Sequence, residues 1–159
     1  MDSARADFSS VPANGVIPGR YSARTAIICA VNIESVISAF VVPSKRDRYF
    51  ELLKSKRGTE RVRRDLAHFH DFDLRYVLKM ESRRQTAQAI QQQLVDLGAP
   101  QRCSLFSEFT DRDASNILLK EALEKVVGLG AGAILLCRSG ILAYYESEES
   151  GIRFILRKG

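Results

Sequence analysis

The chain has no tryptophan, two histidines and three cysteines in 159 residues. Each scarcity excludes something. Cys29, Cys103 and Cys137 are odd in number and widely spaced, which rules out a disulfide framework and a C-x-x-C redox or zinc pair. Cys103 and Cys137 fall in apolar runs that read as strands, so buried free thiols in a reducing, cytoplasmic setting are expected. No G-x-S-x-G elbow, H-E-x-x-H pair or P-loop occurs, and no cofactor is implied. Internal repeats and heptads are missing as well. The longest apolar stretch, residues 25–42, contains Asn32, Glu34, Ser35 and Ser38. A membrane span needs about 20 predominantly apolar residues, and a mid-span carboxylate is costly. Ile33, Val36, Ile37, Phe40 and Val41 instead follow the spacing of one helical face, so this stretch reads as an amphipathic core helix and no membrane partner is expected.

What is present is ordinary globular material. Hydrophobic residues make up 45% of the chain and charged ones 27%, enough for one core and typical of a soluble domain. Residues 1–23 are rich in Ser, Ala, Gly and Pro without periodicity and are expected to form a flexible tail. Residues 24–159 are expected to form a single domain.

Asn32 is a candidate N-cap for the first helix, and Pro43 is expected to end it. Ser44 is placed as the cap of a second helix over 45–55, with Tyr49, Phe50 and Leu53 inward. Gly58 reads as a break. Thr59 is placed as the cap of a third helix over 60–69, with Val62, Leu66 and Phe69 inward. Residues 75–80 read as a strand. Ser82 with Gln85 forms a capping-box pattern before a helix whose stripe is Ala87, Ile90, Leu94 and Leu97, stopped by Gly98 and Pro100. Residues 102–107 read as a strand, 108–116 as a polar loop, and 116–127 as a helix with Leu119, Ala122, Leu123 and Val126 inward. Asp113 or Ser115 would cap that helix. Gly128–Gly132 follows a helix and precedes a strand, the reverse of a phosphate loop, and reads as a helix stop. Strands over 133–137, 141–146 and 152–157 complete the chain as a meander. Tyr144 and Tyr145 alternate across the second of these, one packing and one reaching the surface. In the third, Arg153 and Arg157 are assigned to a solvated face. The expected fold is therefore α/β (α+β): N-terminal helices followed by β-α-β-α-β-β-β, with a mixed four- or five-stranded sheet and a C-terminal antiparallel meander.

Charge is concentrated in one place. Residues 45–64 hold nine Lys/Arg against three Asp/Glu, an excess larger than the whole chain's +5. On a regular helix, Arg57, Arg61, Arg64 and His68 fall within about 60° of one another, opposite Val62, Leu66 and Phe69. Such a row, with Lys45, Arg46 and Arg48 before it, can neutralise phosphates. The ordinary alternative is a solvated face whose arginines pair with Asp47, Asp65 or the acidic loop 147–151.

Both histidines lie in His68-Phe69-His70-Asp71-Phe72-Asp73, and imidazole with carboxylate suits a divalent cation. Residues two apart on a helix diverge by about 200°, so convergence requires the helix to end near Phe69. The ordinary alternative is a helix C-terminus followed by an Asx turn, so no metal is assigned. The carboxylates Glu108, Asp111 and Asp113, and Glu146, Glu148 and Glu149, read as loop residues.

The expectation is a cytoplasmic, non-enzymatic binding or regulatory protein that contacts nucleic acid or another polyanion through residues 45–64. Two alternatives stand beside it. One is a small metal-dependent hydrolase or nuclease using His70, Asp71 and Asp73, with Glu146 or Glu148 joining them. The other is a protein–protein interaction module, including self-association.

Overall fold

A computed structural model describes residues 33–159. The tail expected over residues 1–23, the Asn32 cap and Cys29 lie outside the described residues. Helix α1 (33–40) leads into α2 (Pro43–Leu53) and α3 (Lys56–Asp65). Then come β1 (Val77–Lys79), α4 (Ala87–Asp96), β2 (Arg102–Ser107), β3 (Ala114–Leu118), α5 (Leu119–Glu124), β4 (Ala133–Arg138), β5 (Leu142–Glu146) and β6 (Arg153–Arg157). The six strands form one sheet in the order β1-β6-β5-β4-β2-β3. Every pairing is antiparallel.

The α/β class and the closing meander agree with expectation, but the sheet is not mixed and holds six strands. The additional strand is β3, in a stretch read as loop and helix start. Its residues are mostly exposed because it lies on the sheet edge, where a strand needs no apolar alternation.

Strand alternation builds two cores. Ile134, Leu136, Ala143, Tyr145 and Leu156 face α1, α2 and α3, packing with Val36, Phe40, Tyr49, Val62 and Leu66. Leu135, Cys137, Leu142, Tyr144 and Ile155 face α4 and α5, packing with Ile90, Leu94, Ala122 and Leu123. The sheet is therefore sandwiched between two helical layers. Tyr144 and Tyr145 do take opposite faces, yet both are fully buried, because each face has its own helices. The same cover buries Ile155 on the side assigned to solvent. Each fully buried aliphatic side chain contributes about 1.5–3 kcal/mol.

Helix boundaries shift from those expected. Pro43 does not merely end α1; it opens α2, where its fixed φ and missing N–H suit the first turn. Ser44 thus lies inside the helix and caps nothing, since the N-cap is Val42 without a side-chain bond. Ser55, not Thr59, caps α3 by accepting from the Gly58 N–H at 3.0 Å. Thr86, not Ser82, caps α4 by accepting from the Ala89 N–H at 3.2 Å. Gly98 closes α4 at φ 87°, with its own N–H bonded to Val95 and the Ala99 N–H bonded to Leu94, as a Schellman stop requires.

Gly58 is not a break but a point of closest approach. It lies buried inside α3, and a Cβ there would sit 1.9 Å from the Leu52 carbonyl oxygen. Gly132 likewise abuts the Leu66 and Ala67 backbone, with a Cβ placed 2.3 Å from the Leu66 carbonyl carbon. Helix propensity alone predicts that Gly58→Ala stabilises α3 by about 1 kcal/mol. The backbone clash outweighs this, so Gly58→Ala should destabilise by about 2 kcal/mol or more. Urea denaturation checks the sign, and a rise in midpoint would contradict the packing of α3 on α2.

Candidate functional site

Helix α3 is anchored by a charged side chain on its buried side. Arg63 forms a bidentate pair with Asp113, Nη1 to Oδ1 at 2.9 Å and Nη2 to Oδ2 at 2.5 Å. Its Nη1 also donates to the Ser107 carbonyl at 2.6 Å, and its guanidinium lies 4.0 Å from the Phe106 ring centre. Asp113 therefore does not cap α5. It joins α3 to β2, accepting the Ser107 N–H at 2.8 Å as well. Both side chains are about one-tenth exposed, so the pair is desolvated and its partners must all be present.

With Arg63 turned inward, Arg57, Arg61 and Arg64 are left on the outer face, and all three are exposed. None has a carboxylate partner among the described residues. The nearby acids that form ion pairs are used elsewhere: Glu51 by Lys54, Asp113 by Arg63, and Glu148 and Glu149 by His68. Arg57, Arg61 and Arg64 make no ion pair with Asp47, Asp65 or the acidic loop 147–151, whereas His68, at the end of the row, meets Glu148 and Glu149 of that loop.

Two depressions flank the row. Arg57 and Arg64 line a groove of about 730 Å³ with Glu60, Glu108, Phe109 and Asp111. Arg64 also lines a second depression of about 300 Å³ with Arg48, Asp65, His68, His70 and Asp71. Arg64 thus borders both depressions, with Arg57 on the first and Arg48 on the second. Arg46 turns aside, its Nε donating to the Val41 carbonyl at 2.8 Å, and Lys45 and Arg61, though exposed, line neither depression. The floor of the first groove is not uniformly positive, because Glu108 and Asp111 come from the β2–β3 connection. Glu108 Oε2 accepts the Gly132 N–H at 3.2 Å.

The histidine–aspartate string ends the α3 region as a short 3-10 turn, Leu66–His68, followed by extended chain. Three of its four polar side chains go to separate partners. His68 meets Glu148 at 2.7 Å and Glu149 at 3.2 Å. Asp71 accepts from the Tyr49 hydroxyl at 2.6 Å, and burial together with that bond raises the Tyr49 pKa. Asp73 caps the turn Leu74–Tyr76 and holds Arg75, while His70 is exposed. No group of three His, Cys, Asp or Glu side chains suited to a metal occurs among the described residues.

Glu146 is also not a loop residue. It lies buried at the end of β5, accepting from the Gly128 N–H at 2.7 Å, the Tyr144 hydroxyl at 2.7 Å and Arg153 at 3.1 Å. Arg153 is drawn over by this carboxylate and by Gln85 rather than projecting into solvent. The sequence pattern did not reveal the buried ion pairs Arg63–Asp113 and Arg153–Glu146. Arg63 did carry a signal: it falls beside Val62 and one turn before Leu66, on the edge of the apolar face.

No family model, curated protein or solved structure matches this chain.

Two outcomes follow from these contacts. Asp113→Ala leaves a buried guanidinium without its carboxylate and should cost about 3–5 kcal/mol in urea denaturation. Adding Arg63→Met should recover part of that loss; two independent, additive losses would contradict a coupled pair. The Arg75 side chain, through its hydrogen bonds, holds the Asp73 carboxyl at about 2, against an ordinary 3.8. The lowered value means that stabilisation is complete above the ordinary pKa and is lost as pH falls through the folded one. The stability gap between the wild type and Asp73→Asn should therefore be constant near neutral pH and close between about pH 4 and pH 2. A gap unchanged across that window would contradict the pairing.

Proposed function

We propose that this protein binds a polyanion, with nucleic acid the leading class, through the outward face of α3 and the adjoining end of α2. The reading rests on one observation above others: Arg57, Arg61 and Arg64 are exposed together without carboxylate partners among the described residues. Unpaired guanidinium groups on a fixed helix suit phosphate oxygens, which they meet as planar, two-pronged donors. Arg48 extends the surface across the second depression. Phosphate contacts of this kind are sequence-independent and release condensed counterions.

The proposal gives Arg57, Arg61 and Arg64 the principal contacts and Arg48 a supporting one. Arg46, held by the Val41 carbonyl, takes no direct part. A protein partner with an acidic patch is the second reading, and the same surface would serve it.

The test is a fluorescence-anisotropy titration with short duplex and single-stranded oligonucleotides between 50 and 200 mM salt. Binding should weaken steeply as salt rises. The double variant Arg61→Ala/Arg64→Ala should lower the logarithmic salt slope by roughly two, about one for each phosphate contact removed. Since both side chains are exposed, stability should change by no more than about 0.5 kcal/mol. Absence of binding at the lowest salt defeats the polyanion reading and leaves the protein-partner reading in its place.

A further inference from the structure

The two described cysteines are not independent. Strands β2 and β4 pair with Ser104 opposite Leu136, Leu105 opposite Leu135 and Phe106 opposite Ile134. Continuing this ladder by one pair sets Cys103 across from Cys137. Both belong to the same core, on the α4–α5 side of the sheet, so their side chains leave the sheet in the same direction. Both are free thiols, about 5% and 6% exposed. They also share an opening to the surface: a depression of about 260 Å³ lined by Arg102, Cys103, Ser104, Asn116, Leu136, Cys137 and Ser139. Opposed residues of an antiparallel pair have Cα atoms about 4.5–5.5 Å apart, within the range a disulfide bridges. Both positions lie at register irregularities toward their outer neighbours, β4 against β5 between Leu136 and Arg138 and β2 against β3 between Cys103 and Leu105, where the strands bend locally.

We infer that Cys103 and Cys137 form a dithiol–disulfide couple, a site of reversible oxidation by hydrogen peroxide or a similarly small hydroperoxide. The depression of about 260 Å³ admits an oxidant of that size to the two nearly buried sulfurs. Burial pushes the Cys103 thiol up to about 11, and burial with Cys103 nearby raises Cys137 as well. Cys103 is thus the sulfur that attacks first, and the low thiolate fraction makes the reaction slow.

The sulfur of Cys103 attacks one peroxide oxygen, the O–O bond breaks, and the products are a sulfenic acid and one water. The sulfur of Cys137 then attacks the sulfenic sulfur, the S–S bond forms as the S–O bond breaks, and a second water leaves. Overall two thiols lose two hydrogens and one peroxide is reduced to two waters. A thiol reductant reverses the bridge.

The test uses the full chain carrying Cys29→Ser, so that only this pair can react. Native protein is treated with hydrogen peroxide, quenched, alkylated in denaturant and mapped by mass spectrometry without reduction. The expected result is a mass loss of about 2 Da, with Cys103 and Cys137 peptides joined, protected from alkylation and released by dithiothreitol. Adding Cys137→Ser should remove the cross-link and leave Cys103 carrying added oxygen. The inference is overturned if the native protein gains oxygen without cross-linking, if both thiols remain fully alkylatable after prolonged treatment, or if the bridge forms only in denaturant.

Discussion

The structure depends on one constraint: β4 and β5 carry apolar or aromatic side chains on both faces, and an antiparallel sheet of this kind cannot leave either face wet. Leu135 and Leu136, or Tyr144 and Tyr145, are consecutive in the chain and are buried on opposite sides. Each face therefore needs its own helical cover. The N-terminal helices supply one and the helices that connect the strands supply the other. Antiparallel sheets often keep one solvated face, with clean alternation. This chain follows the other solution, and its near-continuous apolar strands are the consequence.

The polar side chains that enter this sandwich are satisfied at its margins. Tyr145 reaches through the α1–α3 layer, donating to the Leu66 carbonyl at 2.8 Å and accepting the Phe69 N–H at 3.0 Å. Ser147 donates to the Ala67 carbonyl at 2.6 Å. These bonds and the Arg63–Asp113 pair hold the C-terminal half of α3 against the sheet. The outward arginines are consequently displayed on a fixed surface and not on a mobile arm. A fixed row loses less entropy when it meets an anion, which is why the anchoring contacts matter to the proposed activity as well as to stability.

The sequence made legible whatever depends on local period. The strand over 102–107, the meander and the apolar stripes of α4 and α5 follow from spacing and from glycine stops such as Gly98. Helix starts were not legible, because Ser44, Thr59 and Ser82 are as able to cap as Ser55 or Thr86, and only tertiary packing selects between them. Strand β3 was hidden because ASNIL carries no alternation, its pairing being decided by β2. The burial of Tyr144 and Ile155 depended on helices covering both faces, where the order of elements allowed one face or both. At the candidate site, the exposed row Arg57, Arg61 and Arg64 was legible from helical angle. The inward turn of Arg63 was not, since its partner Asp113 lies fifty positions away. In the histidine–aspartate string, adjacency in sequence sets four polar side chains together, and in space His68, Asp71 and Asp73 turn to different partners while His70 is exposed.

The central claim is that the outward face of α3 is a functional surface rather than a solvated one. The most direct measurement is a backbone amide NMR titration of the full chain with a short duplex oligonucleotide at low salt. The account predicts fast, salt-reversible shifts concentrated at Arg57, Arg61, Arg64 and Arg48, with little change in β1, α4 and α5. Shifts centred on another face, or none at an oligonucleotide excess, would contradict it.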